Sequence, residues 1–141
     1  HRACRAEEAE IERRSLELLH YTGIGACANR LAGQLSYGDQ RRLEIARALA
    51  TRPRLLALDE PAAGMNATET AALRGLVQGL RDDGLTVLLI EHDVKLVMGL
   101  CDRLAVFDYG EKIAEDVPAV VQRDPRVIAA YLGHGAEAGH A

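Results

Sequence analysis

"GQLSYGDQRRLEIARALATRPRLLALDEP", residues Gly33 to Pro61, sets a glycine-bearing turn, a basic amphipathic helix, an apolar run and two adjacent carboxylates in immediate succession. Ser36 suits a helix N-cap, because its hydroxyl can accept a backbone N–H from the first turn. From about Tyr37 to Thr51, Leu43, Ala46, Leu49 and Ala50 gather on one face, and Arg41, Arg42, Glu44 and Arg47 fall mostly on the others. Pro53 ends this helix. Leu55 to Leu58 is then a short unbroken apolar run, the pattern of a parallel strand covered on both faces. Asp59 and Glu60 are delivered to its carboxyl end.

The same unit repeats downstream. A helix over about Ala67 to Asp83 turns Leu73, Leu76, Val77 and Leu80 inward and stops at Gly84, and Thr86 to Ile90 is a second buried-strand pattern that ends in Glu91 and His92. Two β-α units in series predict an α/β fold with a mostly parallel sheet and right-handed crossovers, whose ligands bind beyond the carboxyl ends of the strands. Further on, a helix over about Asp93 to Cys101 precedes a hairpin of Leu104 to Phe107 and Lys112 to Ala114, turning at Asp108-Tyr109-Gly110. Short helices around Ala119 to Gln122 and Pro125 to Leu132 follow. Gly133 to Ala141 has no periodicity and is expected to be disordered. Upstream, Ile11, Leu16, Leu18 and Leu19 mark an amphipathic helix from about Ala6 to His20, closed near Gly23 or Gly25.

Composition removes whole classes of function. A chain of 141 residues, 48% hydrophobic and 27% charged, is long and apolar enough for one globular domain with its own core. The net charge of −4 argues against a nucleic-acid-coating surface, although all but two of the 17 basic residues are Arg, which suits phosphate or carboxylate contacts. Cys4, Cys27 and Cys101 are odd in number and form no C-x-x-C, so a disulfide framework or a zinc site is not indicated and a reducing compartment fits. No apolar run approaches the ~18 residues of a membrane span, and the Arg- and Glu-rich start has no signal-peptide core. The chain begins at His1 inside a helical pattern, which leads to the expectation that it starts partway through a larger protein.

Taken singly, an Asp-Glu pair after a strand is often a helix-start acid pair, and a lone His is usually structural. Paired acids at the end of one buried strand and a His at the end of another form a crevice of the kind that magnesium-assisted phosphoryl transfer needs. The residues Leu35-Ser36-Tyr37-Gly38-Asp39-Gln40, then Leu55 to Pro61, then His92 resemble, in that order, the signature motif, the Walker B strand with its following glutamate, and the switch histidine of ABC-type ATPases. Tyr37 stands where the common LSGGQ pattern has its first glycine, and Asp39 precedes Gln40. The resemblance covers nearly the whole chain. It implies the C-terminal half of a P-loop NTPase domain, with part of the helical subdomain in residues 1–52, the C-terminal part of the ATPase core in residues 53–132, and a tail in residues 133–141.

The resemblance also implies roles. Ser36 and the Gly38 amide, at a helix N-terminus, would grip the γ-phosphate of ATP held by a second ATP-binding subunit in a head-to-tail dimer, with Gln40 on the nucleotide side as well. Gly38 lacks a Cβ, which permits close approach. Asp59 would hold Mg2+ through water, Glu60 would polarise the attacking water as general base, and His92 would sense the γ-phosphate. Ala62-Ala63-Gly64-Met65-Asn66 matches the D-loop, so Gly64 and Asn66 belong to the nucleotide interface, with Asn66 where the family more often has Asp. No G-x-x-x-x-G-K-[ST] occurs in these 141 residues, and neither Lys95 nor Lys112 follows a glycine. The family's aromatic base-stacking position and glutamine loop are also missing from them. The chain alone is therefore expected to be inactive, its missing phosphate cradle reflecting a truncated chain, a gene fragment or a real half-domain.

The runs "LALDEPAAGMNATET" and "LLIEHDVKLVMGLCDRLAVFDYGEKIAE", with the closing "DPRVIAAYLG", are similar to the ATP-binding subunits of branched-chain amino acid importers, and urea-type and lipopolysaccharide-export ATPases share much of this pattern. That likeness implies transmembrane permease subunits as partners, a peripheral place on the cytoplasmic face of the inner membrane, no direct insertion and no nucleic acid. The solute is chosen by other subunits. Two alternatives stay open: a non-transport ABC ATPase of DNA repair or the ribosome, and an ABC-like binding module without catalysis.

Overall fold

The computed structural model describes residues 2–133. The segment expected to be disordered lies, from residue 134 onward, outside the described residues. The chain divides into two compact units, the first ending at Leu88 and the second beginning at Leu89.

The first unit opens with α1 (Arg2–Tyr21), which starts four residues before the position read from the hydrophobic pattern. Only its C-terminal part is packed: Leu18 is buried, whereas Ile11 and Leu16 of the expected apolar face are exposed. Along the exposed middle of the helix, Arg13 forms ion pairs with Glu10 and Glu17. Gly23 closes the helix in the left-handed conformation (φ +81), which costs a glycine no Cβ clash. Two 3-10 turns, Gly25–Cys27 and Ala32–Gln34, then carry the chain to α2 (Tyr37–Ala50), which packs against α1. The spacing of apolar residues gave no sign of these turns, because three residues are too few to show a period.

After α2 come β1 (Leu55–Asp59), α3 (Ala67–Asp82) and β2 (Thr86–Ile90), the β-α-β unit the sequence predicts. The strands are hydrogen-bonded neighbours. The Thr86 N–H donates to the Arg54 carbonyl at 3.4 Å, so the starts of the two strands lie side by side and the pair is parallel. That bond sets Thr86 beside Leu55 and gives Leu55 and Ala57 a common face with Thr86 and Leu88. α3 buries Leu73, Val77 and Leu80 and ends before Gly84, again left-handed (φ +89). Each such aliphatic side chain, fully buried, contributes about 1.5 to 3 kcal/mol.

The strands depart from the sequence reading in one respect. β1 was expected to be covered on both faces, but burial alternates: Leu56 and Leu58 are inside, while Leu55 is 54% exposed. Leu88 of β2 is 52% exposed. Among the described residues nothing covers this second face, so a sequence patterned for two-sided burial presents apolar side chains to water.

The second unit takes in α4 (Val94–Leu100), β3 (Leu104–Asp108), β4 (Glu111–Asp116), α5 (Pro118–Val121), α6 (Pro125–Val127) and a π-helical turn, Ile128–Leu132. β3 and β4 form the expected antiparallel hairpin, longer than predicted, with an irregularity in register between Val106 and Phe107. Tyr109 (φ +45) and Gly110 (φ +81) make its tight turn. Leu96, Leu100, Val121 and Val127 form the buried cluster of this unit. The Tyr131 hydroxyl donates to the Phe107 carbonyl and ties the π turn to the hairpin.

Candidate functional site

The site is built at helix and strand ends. Ser36 is the N-cap of α2, in extended backbone (φ −59, ψ 158), and its Oγ accepts the Asp39 N–H at 3.2 Å. A hydroxyl that accepts here still has its own proton to donate outward. Ser36 is exposed, Leu35 before it is buried, and Gln40 holds the turn by donating from Nε2 to the Leu35 carbonyl at 3.1 Å. Gln40, read from the sequence as a nucleotide-side residue, thus braces the turn with its amide.

Tyr37 lies at the first position of α2, and its ring carries the Arg41 guanidinium 5.1 Å from the ring centroid. Arg41 donates to the Tyr37 hydroxyl from Nη2 at 2.7 Å and from Nε at 3.1 Å, and to Glu44 from Nη1 at 2.8 Å. The Glu44 carboxylate and then the Tyr37 hydroxyl, through these bonds, push the guanidinium pKa above its ordinary value. Arg41 and Glu44 share a shallow cleft between α2 and β1 with Asp59, which stands exposed at the carboxyl end of its strand.

Glu60 follows with φ +44, a left-handed conformation that a non-glycine residue adopts only where the surroundings impose it. The turn through Ala62-Ala63-Gly64 brings the chain to α3, with Gly64 also left-handed (φ +74). A Cβ on Gly64 would stand 3.3 Å from Cε1 of Tyr37, so the α2 start and the Gly64 turn are in contact. Asn66 is the N-cap of α3: its Oδ1 accepts the Glu69 N–H at 2.9 Å, and Glu69 Oε2 accepts the Asn66 N–H at 3.0 Å. This reciprocal pair satisfies two N–H groups that the helix itself cannot. Gly38 is buried, and a Cβ there would lie 2.9 Å from Glu69 Oε1. The room its missing side chain leaves is taken by Glu69.

Ser36, Gly38, Gly64 and Asn66 are therefore brought together in the first unit, and Asp59 shares a cleft with α2. His92 belongs to the second unit. It is exposed just beyond β2, its N–H donates to Glu91 Oε2 at 3.3 Å, and Asp93 after it caps α4 by accepting the Leu96 N–H at 3.1 Å. Sequence reasoning missed Glu69, although the Asn-x-x-Glu spacing of a capping box was there to be read. It missed the Tyr37–Arg41 pair and the left-handed Glu60, which have no pattern of their own.

Comparison with known proteins gives the chain its relatives. Residues 2–63 match the family model described as ABC transporter, and residues 111–137 match that of the branched-chain amino acid ATP-binding cassette transporter. The high-affinity branched-chain amino acid transport ATP-binding protein BraF of Pseudomonas aeruginosa is 48% identical over 132 residues, which is 93% of this chain and 52% of BraF. The lipopolysaccharide export system ATP-binding protein LptB of Escherichia coli is 36% identical over 122 residues, 86% of this chain and 51% of LptB. A crystal structure of the ADP conformation of an ATP-binding cassette of an ABC transporter superposes with a TM-score of 0.79 at 33% identity, over 88% of this chain and 50% of that one. The chain spans about half the length of the curated relatives it matches. With its motif order, its fold and these likenesses in agreement, the chain belongs to the ABC transporter family of ATP-binding proteins.

Proposed function

We propose that this chain carries the catalytic carboxylates and the trans-acting signature turn of an ATP-hydrolysing subunit that powers an importer of branched-chain amino acids. The observation that carries the reading is Glu60, left-handed directly after the strand-end Asp59 and in one unit with the Ser36-capped start of α2. Strain at one carboxylate beside an unstrained one is how two acids in sequence come to point at different tasks. The importer assignment draws on the higher identity to BraF than to LptB, and it is preferred to DNA-repair or ribosomal ATPases and to a non-catalytic module.

In this mechanism Glu60 accepts a proton from the attacking water as its oxygen bonds to the γ-phosphorus and the bond to the ADP oxygen breaks. Ser36 Oγ and the Gly38 N–H, at the positive end of α2, bind the γ-phosphate of nucleotide held by the partner subunit in a head-to-tail dimer. His92 senses the γ-phosphate before cleavage. Gln40, Gly64 and Asn66 keep the interface loops in place.

Among the described residues no cluster of three or more metal-ligating side chains exists. A lone exposed Asp59 still fits Mg2+, which is commonly held by one or two carboxylates and completes its shell with water and substrate phosphates. Bound Mg2+ neutralises charge on the phosphate oxygens, and Asp59 is the residue that would hold it. No described helix is long and apolar enough to cross a membrane. Attachment to the cytoplasmic face of the inner membrane then runs through permease subunits. Residues 1–52 serve as part of the helical subdomain and residues 53–132 as part of the ATPase core.

Glu60→Gln in the complete ATP-binding subunit tests this reading. The variant is expected to bind ATP, to lose hydrolysis and to accumulate as a dimer with nucleotide trapped against Ser36. A variant that keeps wild-type turnover, or stays monomeric with ATP and Mg2+, would overturn it.

A further inference from the structure

The Glu69 carboxylate stands at the start of two helices at once. Oε2 accepts the N–H of Asn66 and closes the cap of α3 at 3.0 Å, while Oε1 and Cδ fill the space beside Gly38, 2.9 and 3.1 Å from where a Cβ would be. At the preceding residue, the Tyr37 ring lies against Gly64, in contact with the position a Cβ would occupy. Arg41 holds that ring from above through the two bonds to its hydroxyl. The turn that begins α2 and the loop that begins α3 thus meet at two points, and each point pairs a glycine from one segment with a large side chain from the other. Gly64 is doubly constrained, since its φ of +74 already disfavours any side chain.

The geometry points to Glu69 as a positioning residue that locks the signature turn to the D-loop within one subunit, with Tyr37 as the second contact. The inference rests on the ATPase reading proposed above. Glu69 touches no phosphate in that scheme. It holds the α2 start at a fixed offset from Asn66, so that Ser36, the Gly38 amide and the D-loop reach the partner's nucleotide as one rigid edge. A chain without the Glu69 side chain gives the exposed Asn66 N–H to water and leaves a gap beside Gly38, and its two loops shift independently. Reacting groups misplaced by as little as an ångström cost rate far more than they cost ground-state binding.

The test uses the complete ATP-binding subunit. Glu69→Ala is expected to lower kcat about tenfold or more, with KM for ATP within about twofold, because initial ATP binding belongs to the phosphate cradle and not to this lock. Glu69→Gln keeps the length and can accept the Asn66 N–H, so it is expected to restore kcat. Loss in the Ala variant with rescue in the Gln variant supports the lock. If Glu69→Ala shows no cooperative melt, Glu69→Asp replaces it; one methylene shorter, it leaves the Gly38 contact and must show the same kcat loss. In addition, Gly38→Ala places a Cβ 2.9 Å from Oε1, so its cost in melting temperature is expected to shrink when Glu69 is already Ala. Unchanged kcat in the Ala and Asp variants, equal loss in the Gln variant, or additive melting shifts would overturn the lock and leave the ATPase reading intact. A wild-type subunit without Glu60-dependent hydrolysis overturns the ATPase reading, and this inference with it.

Discussion

The uncovered face of the β1–β2 pair offers a test whose sign reverses with context. Leu55 is 54% and Leu88 is 52% exposed, and the register of the pair puts both on the same face. Full burial of such a side chain is worth about 1.5 to 3 kcal/mol, and with roughly half of each still exposed the pair forgoes about 1.5 to 3 kcal/mol in total. The double substitution Leu55→Thr/Leu88→Thr places β-branched residues, which suit strands, at both positions and removes most of that apolar surface. In the 141-residue chain the wild type is expected to self-associate through this face, and the double variant to weaken that association about ten- to a hundredfold, at about 1.4 kcal/mol per factor of ten. In the complete subunit, where the remaining half would cover the face, the same double variant is expected to lose about 1.5 to 3 kcal/mol of stability. Sedimentation velocity across a concentration series reads the first effect, and denaturant unfolding of the complete subunit reads the second. A monomeric wild-type chain with a sharp, concentration-independent melt would refute the reasoning, as would a double variant that leaves the complete subunit's stability unchanged.

Two further outcomes follow from the same structure. The 141-residue chain by itself is expected to hydrolyse no ATP, because positioning and charge neutralisation supply nearly all of this catalysis and the phosphate cradle is not in its sequence; turnover above background that disappears in Glu60→Gln would contradict this. Burial, and then the hydrogen bond the Tyr21 hydroxyl donates to Asp83 Oδ2 at 2.5 Å, push the Tyr21 pKa up to about 12. The folded state therefore prefers the protonated phenol, and this contribution is complete below the unfolded value of about 10 and is lost as pH rises through about 12. Urea midpoints measured between those pH values should fall less steeply for Tyr21→Phe than for the wild type, and equal slopes would remove Tyr21 from the alkaline transition.

Helix and strand periods were legible wherever an element ran long enough to show them. α2, β1, α3 and β2 have the expected order and nearly the expected bounds, because the two helices repeat apolar residues at one clear period and the two strands are short unbroken apolar runs. The Ser36 cap was readable because a cap is a local contact between residues three apart; Asp93, expected as the first residue of its helix, is in fact its cap. α1 shows where the pattern fails. Its Ile11 and Leu16 have the spacing of a buried face, yet burial depends on another element coming to meet them, and among the described residues only the C-terminal part of that face is met.

The order of motifs, from the LSYGDQ turn through the Asp59-Glu60 pair to His92, was determined by the sequence alone, and with it the family. Each of those motifs is short and local, or tied to a strand end, so its pattern can be read without knowing the neighbours it meets. Only the tertiary structure decided that Glu69 fills the place of a Gly38 side chain, that Tyr37 lies against Gly64, and that one face of β1 stands open. Each of these depends on how segments separated in sequence are set against each other in space. A one-dimensional pattern records which residues could pack, and the fold selects the neighbours they pack against.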